Sequence, residues 1–353
     1  MAEHLFQAGG GQQSAGALSG GGQRASGSWG ADGDPVGPAG GRGHSGEPRF
    51  DQAVAPGGYL WWYVDAISDD GEMGLTMIAF VGSVFSPYYA WNRHQGVADP
   101  DNHCCLNVAL YSRKARRWSM TERSRRFCSR DSTRFVIGPS QLRWDGTSLN
   151  VHIDEVCAPI PRGIRGHIRI NPQQLFNFST ALDPQGKHRW GPIAPSARIE
   201  VNLSEPNQRW SGQAYLDSNE GDEPIDRAFH LWDWSRSLLA DGSTAVLYDM
   251  QYANQQEKLL ALRFDRQGEV RPFEAPARHT LPLTRWRVAR RMRSTAPVQI
   301  HEQLEDGPFY QRALLKSELL GEKVSSFHES LSIPRLVSPV VRAMLPWRMP
   351  RRF

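Results

Sequence analysis

An all-β chain of two packed barrel or sandwich halves is the fold that this 353-residue sequence predicts. Three observations carry the prediction. Beyond residue 50, short segments of alternating apolar and polar residues recur at close spacing, as half-buried strands do. Turn-forming pairs such as Asp145-Gly146 and Gln267-Gly268 separate them at hairpin positions. Long helical periodicity is absent, with only short helical turns expected near 307–320. Many short antiparallel strands divided by frequent turns imply sandwiches or barrels.

Residues 1–50 are rich in Gly, Ser, Ala and Gln and nearly devoid of branched or aromatic side chains, so they cannot bury enough apolar surface to offset chain entropy. They are expected to be disordered. Order begins at GGYLWWYVDAISDDGEMGLTMIAFVG (57–82), where two apolar runs flank Asp69-Asp70-Gly71 as the arms of a hairpin flank its turn. Strand-like segments follow from CCLNVALYS (104–112) through ARIEVNLS (197–204) and RWSGQAYLDS (209–218) to PLTRWRVARR (282–291). The expected division places a first β domain at 51–200 and a second at 201–325, joined near 195–210. A basic Pro/Arg-rich tail occupies 326–353. It mixes apolar residues with five arginines after Glu329, and Pro339, Pro346 and Pro350 prevent one continuous helix.

The N-terminus lacks the basic and apolar regions of a secretory signal, and no apolar run approaches the ~18–20 residues that cross a bilayer. Cys104, Cys105, Cys128 and Cys157 show no metal-ligand spacing, and a chain of this length needs no disulfides. A reduced, cytoplasmic setting is expected. Net charge is only +4, but positive charge clusters at 113–118, 123–126, 285–293 and in the tail. Such clusters attract nucleic acid or anionic lipid, or serve as solvated faces with no partner.

Within GQAYLDSN (212–219) an aspartate stands in an otherwise strand-like stretch; alternation puts Tyr215 and Asp217 on one face, Ala214 and Leu216 on the other. KHRWGPIAP (187–195) carries His188 and Trp190 with the same spacing. If the pairs converge, an acid, an imidazole, a phenol and an indole share one pocket. The plainer reading makes Asp217 a turn carboxylate, since Ser218 and Asn219 follow, and the aromatics ordinary core. HLWDW (230–234) offers a rival His-x-Trp with its own acid, so His230, Trp232 and Asp233 rank second, with Tyr248-Asp249 as another Tyr-Asp pair. Tyr88, Tyr89 and Trp91 in FSPYYAWNRH are candidates for an aromatic wall, or are simply core.

Taken together, AFVGSVFSPYYAWNR, ADPDNHCCLNVALYS, RWSMTERSR, KHRWGPIAP and GQAYLDSNEGDEPIDRAFHLWDWSR resemble the carotenoid 1,2-hydratases of purple phototrophic bacteria, across roughly residues 58–325. The resemblance implies lipocalin-like halves. It also implies addition of water across the terminal 1,2 double bond of acyclic carotenoids such as neurosporene and lycopene, with no organic cofactor. The family's His-x-Trp and Tyr-x-Asp pairs fall on His188, Trp190, Tyr215 and Asp217.

Those residue types suit that chemistry. Hydrating an unactivated trisubstituted alkene requires protonation of carbon, and a carboxyl at its ordinary pKa is ionised near neutral pH; burial among apolar groups raises it and keeps the acid form. The tertiary cation has no hydrogen-bonding handle, so the faces of Trp190 and Tyr215 are suited to stabilise it, by ~0.5–2 kcal/mol each. His188 either holds the attacking water or orients Asp217. The rival reading is a carrier for a long apolar ligand. It would gain nothing from a buried acid. Nucleic-acid binding ranks third. The expected partners are the polyene, water and, through the basic tail, an anionic membrane surface. Oligomeric state stays open.

Overall fold

A computed structural model of the chain describes residues 41, 43–112 and 115–352, so most of the segment expected to be disordered lies outside the described residues. The described chain is all-β, with two large sheets packed against each other. Thirteen described strands form the first sheet and seven the second; Arg278–Thr280 and Arg291–Arg293 make a small separate pair.

The hairpin expected at 57–82 forms as Tyr59–Ser68 and Met73–Val81, its turn closed by Gly71 at φ 73°, a conformation that favours glycine. Cys104–Ser112 and Arg117–Arg123 extend the sheet on one side. On the other side Tyr59–Ser68 pairs with Asn207–Gly221, which pairs with His188–Glu205. The domain joint expected near 195–210 therefore falls inside a long hairpin: Asn207–Gly221 still belongs to the first sheet, and the strands of the second begin only after it, at Phe229. This sheet curls, so that Arg117 Nη1 donates to Gly163 O at 2.9 Å and Arg123 reaches Glu155 at 3.1 Å. Its concave face encloses a core that includes Trp62, Val64, Phe135 and Ile153.

The second sheet runs in the order Val270–Pro272, Glu257–Phe264, Thr244–Tyr252, Phe229–Leu238, Glu322–Ser332, Tyr310–Leu319, Gln299–Asp306. The stretch expected to make helical turns at 307–320 is thus an inner strand; ALLKSELL is rich in helix formers, but pairing on both edges overrides propensity. Residues 326–332 likewise belong to a strand and not to the tail. The tail itself is ordered into Ile333–Leu336, Pro339–Arg348 and a short strand, Arg351–Arg352, parallel to Arg117–Arg123.

One face of the second sheet lies on the convex face of the first. Tyr63, Trp190 and Tyr215 meet Trp234, Tyr248 and Phe327 there in one apolar core. Buried polar links cross it, two of them beside the aromatic cluster. Arg236 donates to Asp65 through Nε at 2.9 Å and through Nη2. Tyr63 OH donates to Glu329 Oε1 at 2.6 Å, and Arg312 Nε donates to the same oxygen at 2.7 Å.

Candidate active site

Asp217 sits mid-strand in Asn207–Gly221, not in a turn, and its side chain points into the core between the sheets. It is buried, as is Tyr215 two residues away on the same face, while Ala214 and Leu216 pack into the opposite core. Trp190 comes from the neighbouring strand. Its Nε1 donates to Asp217 Oδ2 at 2.8 Å, and Tyr215 OH donates to the same oxygen at 2.9 Å. Asp217 Oδ1 meets no hydrogen-bond partner among the described residues.

The aromatic surroundings are dense. Tyr63 and Trp234 each lie edge-on or tilted to Tyr215, with centroids 6.3 and 5.3 Å away, and Tyr248 meets Trp190 edge-on at 5.7 Å. Burial here raises the Asp217 carboxyl from its usual value to about 7, against the opposing hydrogen bonds from Trp190 and Tyr215; Glu329 and Asp65 add to the rise. Burial also pushes the Tyr215 phenol well above its ordinary range, so it remains a donor at neutral pH. Two donors fixed on Oδ2 direct the proton to Oδ1. A neutral acid with one oxygen engaged by two donors, ringed by π-faces, can protonate an apolar substrate: the donors then hold its carboxylate and the rings face the cation formed on the substrate.

The fourth expected member lies elsewhere. His188 is opposite Gly221 in the hairpin, four residues or about 13 Å along the strand from Asp217. Its Nδ1 is 2.9 Å from Tyr59 OH, its backbone N–H donates to Asp183 Oδ1 at 2.7 Å, and burial lowers its pKa. No hydrogen bond joins it to Asp217 among the described residues, so the geometry does not bring it to orient the acid.

The second-ranked residues separate by face. Asp233 accepts from Ser330 Oγ at 2.6 Å and from Arg291 Nε at 3.1 Å, and Asp249 forms a two-pronged pair with Arg293 at 2.8 and 2.9 Å. Both acids face away from Asp217, because they alternate with Trp232, Trp234, Tyr248 and Met250, which face it. Trp232 thus joins the aromatic core, edge-on to Tyr248 at 6.0 Å, while His230 is half-buried near the strand's start. Of the proposed aromatic wall, Tyr89 is buried with its hydroxyl on Gly58 O at 2.9 Å and its ring on His103, Tyr88 is half-buried near Arg351, and Trp91 is 64 % exposed. None of the three joins the Asp217 cluster. The sequence reading missed Tyr63, Trp234 and Glu329. Tyr63 had a signal, since it alternates correctly with the other aromatics of its strand; Glu329 had none.

The basic clusters are largely engaged within the fold. Arg291 and Arg293 hold Asp233 and Asp249, Arg123 holds Glu155 and Arg116 meets Glu302. No described helix is long and apolar enough to cross a membrane.

Comparison with known proteins agrees with the resemblance in the motifs. The family model described as carotenoid hydratase CrtC matches residues 77–353. The acyclic carotenoid 1,2-hydratase of Rubrivivax gelatinosus is 58 % identical over 311 residues, 87 % of this chain and 77 % of that protein. The protein of the same name from Thiocapsa roseopersicina is 53 % identical over 343 residues, 96 % of this chain and 84 % of the relative. Among solved structures, an AttH-type chain from Nitrosomonas europaea superposes with a TM-score of 0.56 at 15 % identity, over 78 % of this chain and 92 % of that one, which bears on the lipocalin-like fold alone. The chain belongs to the carotenoid hydratase family.

Proposed function

We propose that this protein adds water across the terminal 1,2 double bond of an acyclic carotenoid such as neurosporene or lycopene, with Asp217 as the acid. The observation that carries the reading is a buried carboxyl whose Oδ2 is held by Trp190 and Tyr215 and whose Oδ1 meets no hydrogen-bond partner among the described residues. Asp217 Oδ1–H gives its proton to the CH carbon of the double bond, and the π electrons form that C–H bond. The neighbouring carbon becomes a tertiary cation, held by the new carboxylate and the rings of Trp190 and Tyr215. Water attacks the cation; its proton returns to Asp217, restoring the acid, and the balance is one water added with no electrons exchanged. The close relatives' names support this substrate class, and the buried acid disfavours a mere carrier, which would bear the cost of burial without using it.

A test follows from the pKa. Turnover requires the protonated carboxyl, which burial holds up to about 7. In lycopene-containing micelles kcat is expected to be flat below about pH 6 and to fall roughly tenfold per unit above about pH 8. A kcat that rose with pH would sink Asp217 as the proton donor.

We also propose peripheral membrane attachment through the C-terminal helix, since the substrate is dissolved in lipid. The tail packs as two short helices and a strand, and the helix Pro339–Arg348 decides which residues can reach the membrane. Leu345 is half-buried against the inter-sheet core and Arg351 pairs with Glu122, while Val340 and Trp347 are 70 % and 75 % exposed beside exposed Arg342 and Arg348. An arginine at an anionic surface contributes ~1 kcal/mol. Liposome flotation with phosphatidylserine vesicles is expected to recover the parent protein and to lose the V340E/W347E double variant. Equal flotation of both would place attachment elsewhere.

A further inference from the structure

Side chains opposite one another across neighbouring strands share a face, and one such row in the first sheet runs Asp217, Tyr63, Ile78, Asn107, Met120. It spans four strand spacings, about 19 Å. Asp217 begins the row. At its other end Ile78, Asn107 and Met120 line a cavity of about 660 Å³, within the ~300–1,000 Å³ range of small-molecule sites. Phe309 and Leu345 line the cavity as well, and so do exposed Ile160, Trp286 and Met344. Apolar residues left exposed around a cavity suit a ligand that arrives from an apolar phase.

Arg312 also lines the cavity. It lies 5.9 Å from the centre of the Tyr63 ring and donates to Glu329, the carboxylate that Tyr63 OH also holds. Beyond Tyr63 stand Tyr215 and, directly across the strand pair, Asp217. Tyr63 therefore separates an apolar cavity from the buried acid, on the same sheet face and in the same row. The charge of Arg312, the arginine nearest Tyr63, is answered by Glu329 and Glu305, so the inner end of the cavity offers no spare cation; Arg162 and Arg348 line its exposed side, and competition between stearate and squalene separates a charged head from a plain hydrocarbon there.

We propose that this cavity holds the linear hydrocarbon chain of the polyene substrate, and that Tyr63 is the partition its end group passes to reach Asp217. The proposal rests on the reading of the protein as a hydratase with Asp217 as its acid. Ala109, on the strand between Ile78 and the cavity's outer wall, also lines the space, so Ala109→Phe fills it without touching the Asp217 cluster. Tyr63 is a positioning residue here: Tyr63→Phe keeps the ring but frees it from Glu329.

The full-length protein is assayed with lycopene in detergent and H₂¹⁸O, with binding followed by quenching of tryptophan fluorescence and folding by circular dichroism and Tm. Ala109→Phe is expected to lower kcat/KM at least tenfold, mainly through KM, and to weaken lycopene quenching in parallel. Trp118→Phe, which removes a fluorophore from the cavity wall, is expected to lose a disproportionate share of that quenching and serves as the readout should Ala109→Phe not fold. Tyr63→Phe is expected to shift KM while keeping the parent's pH profile. If the parent makes labelled alcohol and folded Ala109→Phe does so with unchanged KM, the cavity assignment is overturned and the hydratase reading stands. If the parent binds lycopene without converting it and Ala109→Phe abolishes the binding, the cavity stands and the hydratase reading falls. Displacement of lycopene by stearate but not by squalene would overturn the hydrocarbon chain as occupant.

Discussion

Asp217→Asn is expected to lower turnover by at least ~10³, a barrier increase of ~4 kcal/mol, while making the protein more stable at neutral pH. The amide oxygen still accepts from Trp190 and Tyr215, so shape and polyene binding survive, but no proton remains to give to carbon. Stability moves the other way because the folded carboxyl, at about 7, lies above the usual 3.8. As pH rises from about 4 to about 7 the unfolded chain releases this proton while the folded chain keeps it, so folding loses stability across that window and stays at the reduced level above it. Three pKa units cap the penalty at about 4 kcal/mol. Asparagine has no such proton. Thermal unfolding of parent and variant should coincide near pH 4 and diverge, variant higher, by pH 7.5; a variant less stable at pH 7.5 would show that the carboxylate is accommodated as an anion and is not the acid. His188→Ala should retain more turnover than Asp217→Asn. Asp233→Asn and Asp249→Asn, whose acids serve Arg291 and Arg293 on the far face, should stay within a few-fold of the parent when assayed well below Tm.

Arg236→Met should destabilise the protein by about 3–5 kcal/mol, because it strands Asp65 in the core between the sheets. Asp65 is fully buried, burial already raises its pKa, and its Oδ2 has no hydrogen-bond partner among the described residues. The cost therefore lies in the orphaned carboxylate more than in the lost attraction. Asp65→Leu combined with Arg236→Met should recover most of the stability, since a matched apolar pair has no charge to desolvate. Urea unfolding of the two single variants and the double variant gives the coupling. A double variant as unstable as Arg236→Met would mean that Arg236 acts through packing on Phe327, which it overlies at 5.7 Å, and not through Asp65.

These contrasts show what the sequence could convey. The hairpin at 57–82, the turns at Gly146 and Gly268 and the shared face of Tyr215 and Asp217 are local matters of alternation and turn chemistry, and residues a few positions apart report them. The joint between the halves was not legible, because Asn207–Gly221 pairs with Tyr59–Ser68 across about 150 positions, and no local pattern names a partner that far away. His188 and Trp190 look equivalent in the motif, yet a hairpin register assigns one to Gly221 and the other to Asn219, so only Trp190 reaches the acid. Long-range register also decides that Asp233, so similar on paper, faces Arg291. Glu329 came into view only when the last strand of the second sheet was laid beside Tyr63.

The short strand Arg351–Arg352 has a consequence in time. It covers the outer edge of Arg117–Arg123, where Arg351 meets Glu122 across 229 residues. During synthesis at about 5–20 residues per second, that edge waits roughly 10–50 s for its partner to leave the ribosome. An unpaired strand edge is an invitation to pair with another chain. Glu122, a charge aimed inward from that strand, and the arginines at its two ends make the waiting edge a poor template for a stranger, and the same carboxylate then receives Arg351 when that residue arrives.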